Sequence, residues 1–158
     1  MNYFKIKILD DDYYIGYINN KITYISNPNQ LNIIKWFKEA VYKDNIYLQT
    51  LTKKELTNYF LGNSKTIKIP FELIGTTFQK NVLNEVLNVK YGNTKSYKEI
   101  AVNLGDQKLA RAVSRSLANN PLLFVIPCHR IIGTDNNLKG YRAGIELKRK
   151  LLNLEKNN

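Results

Sequence analysis

The sequence predicts an α/β protein in which a small strand-rich N-terminal domain precedes a mainly helical domain with a helix-turn-helix. Residues 3–26 alternate apolar with polar side chains and are rich in Tyr and Ile, which is typical of antiparallel strands. Residues 76–118 instead contain successive helix-start signals and apolar side chains at helical spacing. A chain of 158 residues is long enough for two small domains, and we place their boundary between residues 1–68 and residues 69–158.

The first 42 residues predict a small sheet followed by a helix. The alternating segment divides into two or three strands, with a turn at Asn19-Asn20-Lys21. Residues 30–42 then have helical spacing. The predicted apolar face of this helix consists of Ile33, Trp36, Phe37, Ala40 and Val41.

A second helix is predicted further along the same domain. Thr52 and Glu55 have the spacing of a capping box, which predicts a short helix that begins there and ends at Gly62. Residues 63–70 are interpreted as a linker that includes a short strand at residues 66–69. Because no motif with recognisable chemistry occurs in residues 1–68, this domain is interpreted as a scaffold.

Two start signals mark the first helices of the second domain. Thr76 and Gln79 form a capping-box pattern before a helix whose apolar residues recur at four-residue intervals. Those residues are Phe78, Val82 and Val86. Ser96 and Glu99 form the same pattern before the next helix, which Gly105 is suited to end.

The following helix completes a helix-turn-helix pattern. Asp106 is a suitable cap for a helix that runs to about Ala118, before Asn119-Asn120-Pro121. Its apolar residues are Ala110, Val113 and Leu117, and its basic residues are Lys108, Arg111 and Arg115. Separate apolar and basic faces suit the recognition helix of a DNA-binding motif. A solvated basic face is the alternative interpretation.

The only cysteine and the only histidine of the chain are adjacent, in the sequence Pro127-Cys128-His129-Arg130. They follow residues 122–126, an apolar and β-branched run that predicts a buried strand. A thiol reacts as its thiolate, and a neighbouring imidazole or positive charge increases the thiolate fraction. Since adjacent side chains diverge in a strand, we expect His129 to act on Cys128 through one water. An unreactive buried cysteine beside a structural histidine is the alternative.

The helix predicted at residues 143–155 carries a carboxylate on its apolar face. Glu155 lies in one stripe with Lys148, Leu151 and Leu152. A buried carboxylate is costly unless it is paired, and a ring nitrogen of His129 is a natural partner. The three side chains would then form a nucleophile, a base and an orienting group. Alternatively, the helix end frays and Glu155 is solvated.

Composition restricts the function further. The net charge of +11 favours a polyanionic partner, although many lysine-rich proteins bind no nucleic acid. One Cys and one His cannot form a closed zinc site, and Asp10, Asp11 and Asp12 are interpreted as a solvated turn, so we expect no metal. The chain contains no glycine-rich phosphate loop, so we expect no nucleotide cofactor. We find no signal peptide and no stretch long enough to span a membrane, and a single cysteine cannot form an internal disulfide. These observations predict a cytoplasmic protein.

Ordered blocks over roughly residues 70–155 resemble the O6-alkylguanine-DNA alkyltransferase family. The blocks are GTTFQKNV at 75–82, YGNTKSYKEIA at 91–101, LG at 104–105, ARAV at 110–113, NNP at 119–121, IPCHRII at 126–132, GYRAG at 140–144, and K-x-x-LL-x-x-E ending at Glu155. The tetrapeptide Pro-Cys-His-Arg is short, but matching order and spacing across all blocks makes chance agreement negligible. Residues 1–68 resemble the family only weakly.

The resemblance implies a ribonuclease-H-like α/β domain followed by a winged-helix-like domain. It also implies DNA repair, in which the alkyl group of O6-alkylguanine, and also of O4-alkylthymine, passes irreversibly to Cys128. Family members flip the damaged nucleotide out of the duplex before transfer. The implied partner is double-stranded DNA, the protein is expected to be a monomer, and no cofactor is needed because the thioether product is stable.

The resemblance assigns roles to residues in each matching block. Catalytic roles fall to Cys128 as acceptor, His129 as water-linked base, Glu155 as its orienting group, and Asn120 as the bridge from the recognition helix to the active-site segment. DNA contacts fall to Tyr97, which would rotate the nucleotide, and to Arg111, which would fill the vacated stack. The basic face of the predicted recognition helix adds Lys108 and Arg115 as DNA contacts, independently of the resemblance. The substrate pocket falls to Ile131, Tyr141 and the backbone at Arg142.

Two positions depart from the family pattern. Leu83 stands where the family often has Trp, and we interpret this as a packing exchange. Ser114 stands where Gly usually follows Arg-Ala-Val, and we expect it to affect how closely DNA approaches. A lesion-binding relative without transfer activity, a helix-turn-helix regulator and a cysteine hydrolase are the competing interpretations. Lesion-binding relatives lack the acceptor cysteine, which this chain has. A helix-turn-helix regulator would leave the Cys-His pair unexplained, and this chain shows no oxyanion-hole signal that would indicate a cysteine hydrolase.

Overall fold

The computed structural model describes all 158 residues and divides them into two units. The first unit comprises Met1–Glu72 with Pro121–Leu123, and the second comprises Leu73–Asn120 with Phe124–Asn158. The protein is of the mixed α/β class, as the sequence predicts. The functional assignment of two domains divided after residue 68 stays a prediction. None of the helices has the length and apolar composition needed to cross a bilayer.

The first unit is built on a four-stranded sheet with the order β3-β2-β1-β4. Its strands are β1 (Asn2–Ile8), β2 (Asp11–Ile18), β3 (Lys21–Ile25) and β4 (Val41–Tyr42). The first three are antiparallel neighbours, and β4 runs parallel to β1. The predicted turn between β2 and β3 is confirmed, because Asn19 and Asn20 have φ angles of 48° and 59°. Two successive left-handed residues match the twist of a two-residue hairpin.

The helix predicted over residues 30–42 is wrong in its extent. Helix α1 covers only Ile33–Trp36, and the chain then turns to form β4. The Val41 N–H donates to the Met1 carbonyl at 3.1 Å, and the Lys43 N–H donates to the Tyr3 carbonyl at 2.8 Å. The free edge of β1 therefore supplies hydrogen-bond partners that outweigh the local helical pattern. Val41 is accordingly exposed on β4 instead of lying on a helix face with buried Ile33.

Helix α2 (Ile46–Phe60) begins well before the predicted capping box. Asn45 is its N-cap and accepts a hydrogen bond from the Leu48 N–H at 3.1 Å. Thr52 is instead fully buried inside the helix, and the Glu55 carboxylate accepts from the Lys68 N–H at 2.8 Å. The predicted helix end is confirmed, since α2 stops two residues before Gly62, whose φ is 76°. The strand predicted at residues 66–69 does not form.

The core of the first unit lies between the sheet and α2. Helix α2 packs on β1 and buries Leu48, Leu56 and Tyr59. The short segment Pro121–Leu123 adds to the sheet at β3, where the Ile25 N–H donates to the Pro121 carbonyl at 2.8 Å. A segment from late in the sequence thus makes an isolated bridge to β3, the edge strand of this sheet.

The second unit contains four helices and a two-stranded parallel sheet. The helices are α3 (Thr77–Leu87), α4 (Tyr97–Asn103), α5 (Ala110–Ala118) and α6 (Ile145–Lys156), and the strands are β5 (Lys95–Ser96) and β6 (Ile131–Ile132). The capping box before α4 is confirmed: the Glu99 N–H donates to Ser96 Oγ at 3.0 Å, and the Ser96 N–H donates to the Glu99 carboxylate at 2.7 Å. Gly105 follows α4 with a φ of 108°, as its predicted role at the helix end requires.

Helices α4 and α5 form the predicted helix-turn-helix pair and pack on each other and on α3. Asp106 accepts from the Lys108 N–H at 2.9 Å and so caps a 3-10 turn, Gln107–Leu109, that leads into α5. Val113 and Leu117 are buried, whereas Ala110 is only half-buried. Leu83 is fully buried in α3, which agrees with a packing exchange at that position.

The strand predicted at residues 122–126 does not form, although every residue in it is buried. Leu122 makes only an isolated bridge to Ile25. Phe124 has a φ of 71°, which breaks an extended run. The apolar pattern therefore predicted burial correctly and conformation incorrectly, because a short apolar run does not by itself distinguish a strand from a buried turn.

Candidate active site

Cys128 lies in a 3-10 turn, Cys128–Arg130, instead of at the end of a strand. The turn is held by the Cys128 N–H donating to the Ile126 carbonyl at 2.7 Å and the Arg130 N–H donating to the Pro127 carbonyl at 2.9 Å. The Cys128 side chain is buried but lines a cavity of about 260 Å³. The cavity is lined by Tyr97, Ser114, Leu117, Ala118, Cys128, Gly140, Tyr141 and Arg142. A small group that enters this cavity therefore meets the sulfur.

Asn120 holds the sulfur from the C-terminal end of α5. Its Nδ2 donates to Cys128 Sγ at 3.1 Å and to the Ile126 carbonyl at 3.3 Å. Asn120 is fully buried. A donated hydrogen bond stabilises a thiolate more than a neutral thiol, so this amide favours the reactive form of Cys128.

His129 and Glu155 form a buried pair, as the sequence predicts. His129 Nε2 lies 2.9 Å from Glu155 Oε1, and both side chains are almost inaccessible to solvent. A carboxylate is only an acceptor, so Nε2 carries the proton and Nδ1 of the neutral ring has the lone pair. Glu155 thereby orients the imidazole and selects its tautomer.

Arg130 is a third member of this group that the sequence analysis missed. Its Nε donates to the two Glu155 carboxylate oxygens at 2.9 and 3.1 Å, and its Nη2 donates to Oε1 at 2.7 Å. Nη1 donates to the Val89 carbonyl at 2.6 Å, and the guanidinium lies over the Tyr91 ring. Glu155 is therefore paired with a permanent cation as well as with His129. A buried carboxylate beside one histidine was the signal that a stronger counter-charge was needed.

Lys148 is a second buried cation, and it lies on the predicted buried stripe of α6. It lies on α6, is fully buried, and its Nζ donates to the carbonyls of Ile131, Leu138 and Gly140. These three acceptors use all donors of an ammonium group and attach the segment after β6 to α6. Burial lowers the pKa of Lys148 to about 8, while the proximity of Cys128 opposes this shift.

Burial determines the resting protonation states of Cys128 and His129. Burial raises the pKa of the Cys128 thiol, against the hydrogen bond from Asn120 and the charges of Arg142 and Lys148. Burial likewise lowers the pKa of His129, while the hydrogen bond to Glu155 opposes that shift. A neutral thiol beside a neutral imidazole is therefore the resting pair at neutral pH. Formation of the thiolate requires the proton to move to an acceptor such as His129.

The remaining residues of the predicted pocket differ in whether they line the cavity. Tyr97, at the start of α4, lines the cavity, and burial raises its pKa to about 12, so it remains a phenol. Tyr141 and Arg142 also line the cavity. Ile131 is fully buried in β6 and is absent from the lining. Ser114, one of the departures from the family pattern, lies in the lining itself.

The predicted DNA-contacting cations lie on an exposed surface. Lys108 in the 3-10 turn and Arg111 and Arg115 on α5 are exposed, and none forms an ion pair within the chain. Arg111 and Arg115 are one helical turn apart, on the opposite side of α5 from buried Val113 and Leu117. The second unit therefore combines an exposed basic helix with a buried thiol at the end of that helix.

Comparisons with known proteins agree on one family. Residues 77–157 match the family described as "6-O-methylguanine DNA methyltransferase, DNA binding domain". An inducible methylated-DNA–protein-cysteine methyltransferase from Bacillus subtilis is 44% identical over 102 residues, which cover 65% of this chain and 57% of that protein. A methylated-DNA–protein-cysteine methyltransferase from Methanosarcina barkeri is 42% identical over 124 residues, or 78% of this chain and 71% of that protein. The first of these matches thus spans less than two thirds of the relative's length.

Solved structures extend the similarity to nearly the whole chain. A Mycobacterium tuberculosis OGT crystallised in complex with DNA has a TM-score of 0.87 and 30% identity, covering 99% of this chain and 94% of that chain. An O6-methylguanine DNA methyltransferase from Methanococcus jannaschii has a TM-score of 0.70 and 26% identity, covering 98% and 93%. Both units therefore take part in the similarity.

Proposed function

The chain belongs to the methylated-DNA–protein-cysteine methyltransferase family, and from this premise we propose that it repairs DNA by taking the alkyl group of O6-alkylguanine onto Cys128. O4-alkylthymine is the second proposed substrate. One observation carries the proposal. The only cysteine of the chain lines a cavity of about 260 Å³, its sulfur accepts a hydrogen bond from Asn120, and the next residue, His129, is paired with Glu155.

The proposed reaction is a displacement at the alkyl carbon. His129 accepts the thiol proton through a water, and Glu155 stabilises the imidazolium that results. The thiolate attacks the alkyl carbon in line with its bond to O6, the new C–S bond forms, and the C–O bond breaks. Guanine leaves as an anion and takes up a proton from water, and the imidazolium of His129 returns its proton to solvent. The thioether is stable, so each protein molecule acts once.

The pocket residues have proposed roles in binding the base. Tyr141 and the backbone at Arg142 are proposed to line the guanine site, with Tyr97 rotating the nucleotide into it. Ile131 contributes only from behind the cavity surface, because it is fully buried. Asn120 is proposed to couple α5 to the thiol through its hydrogen bond to the sulfur.

The DNA partner is proposed to lie on the basic face of α5. Arg111 would enter the duplex and occupy the space of the flipped nucleotide, since its side chain is long and permanently charged. Lys108 and Arg115 would contact phosphates. The exposure of all three and their lack of internal ion pairs support these roles.

The finer description of the fold belongs to the same proposal. Residues 1–68 are proposed as a ribonuclease-H-like scaffold domain, and residues 69–158 as a winged-helix-like domain that binds DNA and accepts the alkyl group. The pairing of α4 with α5 and the short β5–β6 sheet support the second assignment. The cytoplasmic location and the monomeric state remain predictions.

Intact-mass spectrometry after incubation with a duplex that contains O6-methylguanine tests the function. We expect one methyl group per protein, located at Cys128 by peptide mapping, and one equivalent of repaired guanine. Cys128→Ala is the matched control and should bind the duplex without gaining mass. Repeated turnover, or methylation at another residue, would contradict single transfer to Cys128.

A further inference from the structure

Arg142 lies in the wall of the cavity and is bonded to the residue that holds the sulfur. It belongs to the segment between β6 and α6 and is half-buried. Its Nη1 donates to the Asn120 carbonyl at 2.6 Å, a short bond to a charged donor. The side chain of the same Asn120 donates to Cys128 Sγ at 3.1 Å. One chain of contacts therefore runs from the guanidinium through Asn120 to the thiol.

The charges around Cys128 come from several elements. His129 follows it in the same turn and is paired with the anionic Glu155, which is in turn paired with the cationic Arg130. Tyr97 at the start of α4 and Tyr141 beside Arg142 present phenols to the cavity. Lys148 on α6 is a cation, but its pKa of about 8 means that its charge is lost in mildly alkaline solution. Arg142 is the cavity cation that stays charged at every relevant pH.

We propose that the Arg142 side chain is a positioning residue for the Cys128 thiolate: it holds Asn120 against the sulfur and gives the cavity its permanent positive charge. Both effects act in the same direction, because a correctly placed donor and a nearby cation each favour a thiolate. The charge of Arg142 also opposes the rise in the pKa of Cys128 that burial causes. The consequence for alkyl transfer rests on the proposed function, whereas the effect on the thiol does not.

The thiol effect is measured with iodoacetamide, which labels thiolates and which has only one cysteine to label in this chain. Labelling rates followed by intact mass from pH 6 to pH 10 give the apparent pKa of Cys128. R142Q removes the charge, and R142K keeps it. R149Q is the matched control, since Arg149 is exposed on α6 and outside the cavity.

We expect R142Q to raise the apparent pKa of Cys128 by about 0.5 to 1 unit, which lowers labelling at neutral pH about three- to tenfold. R142K should restore most of the rate, and R149Q should match the wild-type protein. Circular dichroism and urea unfolding establish that each variant is folded. A folded R142Q with the wild-type pH profile would overturn the proposal, as would an R142K profile as shifted as that of R142Q.

Transfer from an O6-methylguanine duplex provides the second readout. We expect R142Q to reduce the single-turnover rate at neutral pH by a factor similar to that for labelling, and the loss should shrink as the pH rises. If the wild-type protein transferred no methyl group, the proposed function would fail, while the labelling experiment would still decide the role of Arg142. If transfer occurred and R142Q transferred at the wild-type rate at every pH, the role of Arg142 would be refuted and the function retained.

Discussion

The buried contacts among Glu155, Arg130 and His129 allow a quantitative prediction of how much their loss lowers the free energy of unfolding. Glu155 accepts three hydrogen bonds from Arg130, between 2.7 and 3.1 Å, and one contact of 2.9 Å from His129. Arg130→Met leaves the carboxylate without its permanent counter-charge, and Glu155→Gln leaves a buried guanidinium with a neutral partner. Removing one member of a buried ion pair costs about 3–5 kcal/mol. That is a large share of the roughly 5–15 kcal/mol by which a domain is usually stable.

The double variant tests whether this cost arises from the pair itself. Arg130→Met with Glu155→Gln leaves no unpaired buried charge, so we expect it to be less destabilised than the sum of the single variants by about 2–3 kcal/mol. Urea unfolding measures all four free energies, provided that the slopes with denaturant agree. Additivity within about 0.5 kcal/mol would refute the reasoning, because contacts that share no partner behave in that way.

The same variants change the titration of the single histidine. Burial lowers the pKa of His129, Glu155 opposes the shift, and the charge of Arg130 adds to it. Because the unfolded chain then binds the proton more readily, this group stabilises the fold above the ordinary imidazole pKa of about 6.5, and the stability is lost as the pH falls. Arg130→Met should raise the pKa of His129, and Glu155→Gln should lower it further. NMR of the only imidazole resolves both shifts, and shifts in the same direction would contradict this electrostatic assignment.

Three further changes test the fold, the buried lysine and the arginine that is proposed to enter the DNA. Ser96→Ala removes the capping box before α4 and should destabilise the protein by about 0.5–2 kcal/mol in urea unfolding, and an unchanged midpoint would contradict that role. Lys148 has a folded pKa of about 8, below its ordinary value of 10.5, so this group contributes a rise in stability of at most about 3 kcal/mol between those pH values, which the raised pKa values of Cys128 and Tyr97 oppose. Lys148→Met should abolish that rise, and a variant that retained it would place its origin elsewhere. Arg111→Ala should slow repair in duplex DNA far more than reaction with free O6-benzylguanine, and equal slowing would show that Arg111 supports the pocket or the fold.

The correct predictions from sequence concern features that a few neighbouring residues determine. The Asn19-Asn20 hairpin and the Ser96–Glu99 capping box depend on hydrogen bonds and dihedral angles within four residues. The helical spacing of α3, α5 and α6 likewise identified most of their buried residues. These features form as predicted because no tertiary contact competes for the same backbone groups.

The wrong predictions share a different cause, namely a partner distant in sequence. Residues 41–42 form a strand instead of the predicted helix, because the edge of β1, about forty residues earlier, supplies partners for their backbone hydrogen bonds. Residues 122–126 have the composition of a strand, yet only Leu122 pairs with a strand, and Phe124 turns the chain away. Periodicity reports burial in these cases but contains no information on which backbone groups are already paired.

The candidate site was predicted from its own residues as three side chains, to which the family resemblance added Asn120, and it contains a larger arrangement of buried charge. The adjacency of Cys128 and His129 and the apolar stripe that contains Glu155 were sufficient to predict the buried pair. Arg130 and Lys148 were visible in the same motifs, but their roles depend on the carbonyls of residues 89, 131, 138 and 140, which sequence does not bring together. Buried cations are thus recognised from sequence only after the loops that solvate them have been located.

The balance of these charges explains why an anion belongs in the cavity. Arg130 and Glu155 neutralise each other, and His129 rests neutral, so they add no net charge beside Cys128. Lys148 and Arg142 remain as cations near a neutral thiol, one held by three carbonyls and the other by the Asn120 carbonyl. Loss of the thiol proton would add a negative charge near both cations, and the proposed displacement would then pass that charge to the departing guanine. In the proposed reaction the cations would stabilise the charge both on the thiolate and on the departing guanine. They would therefore lower the barrier only as far as their positions favour the transition state over both of these states.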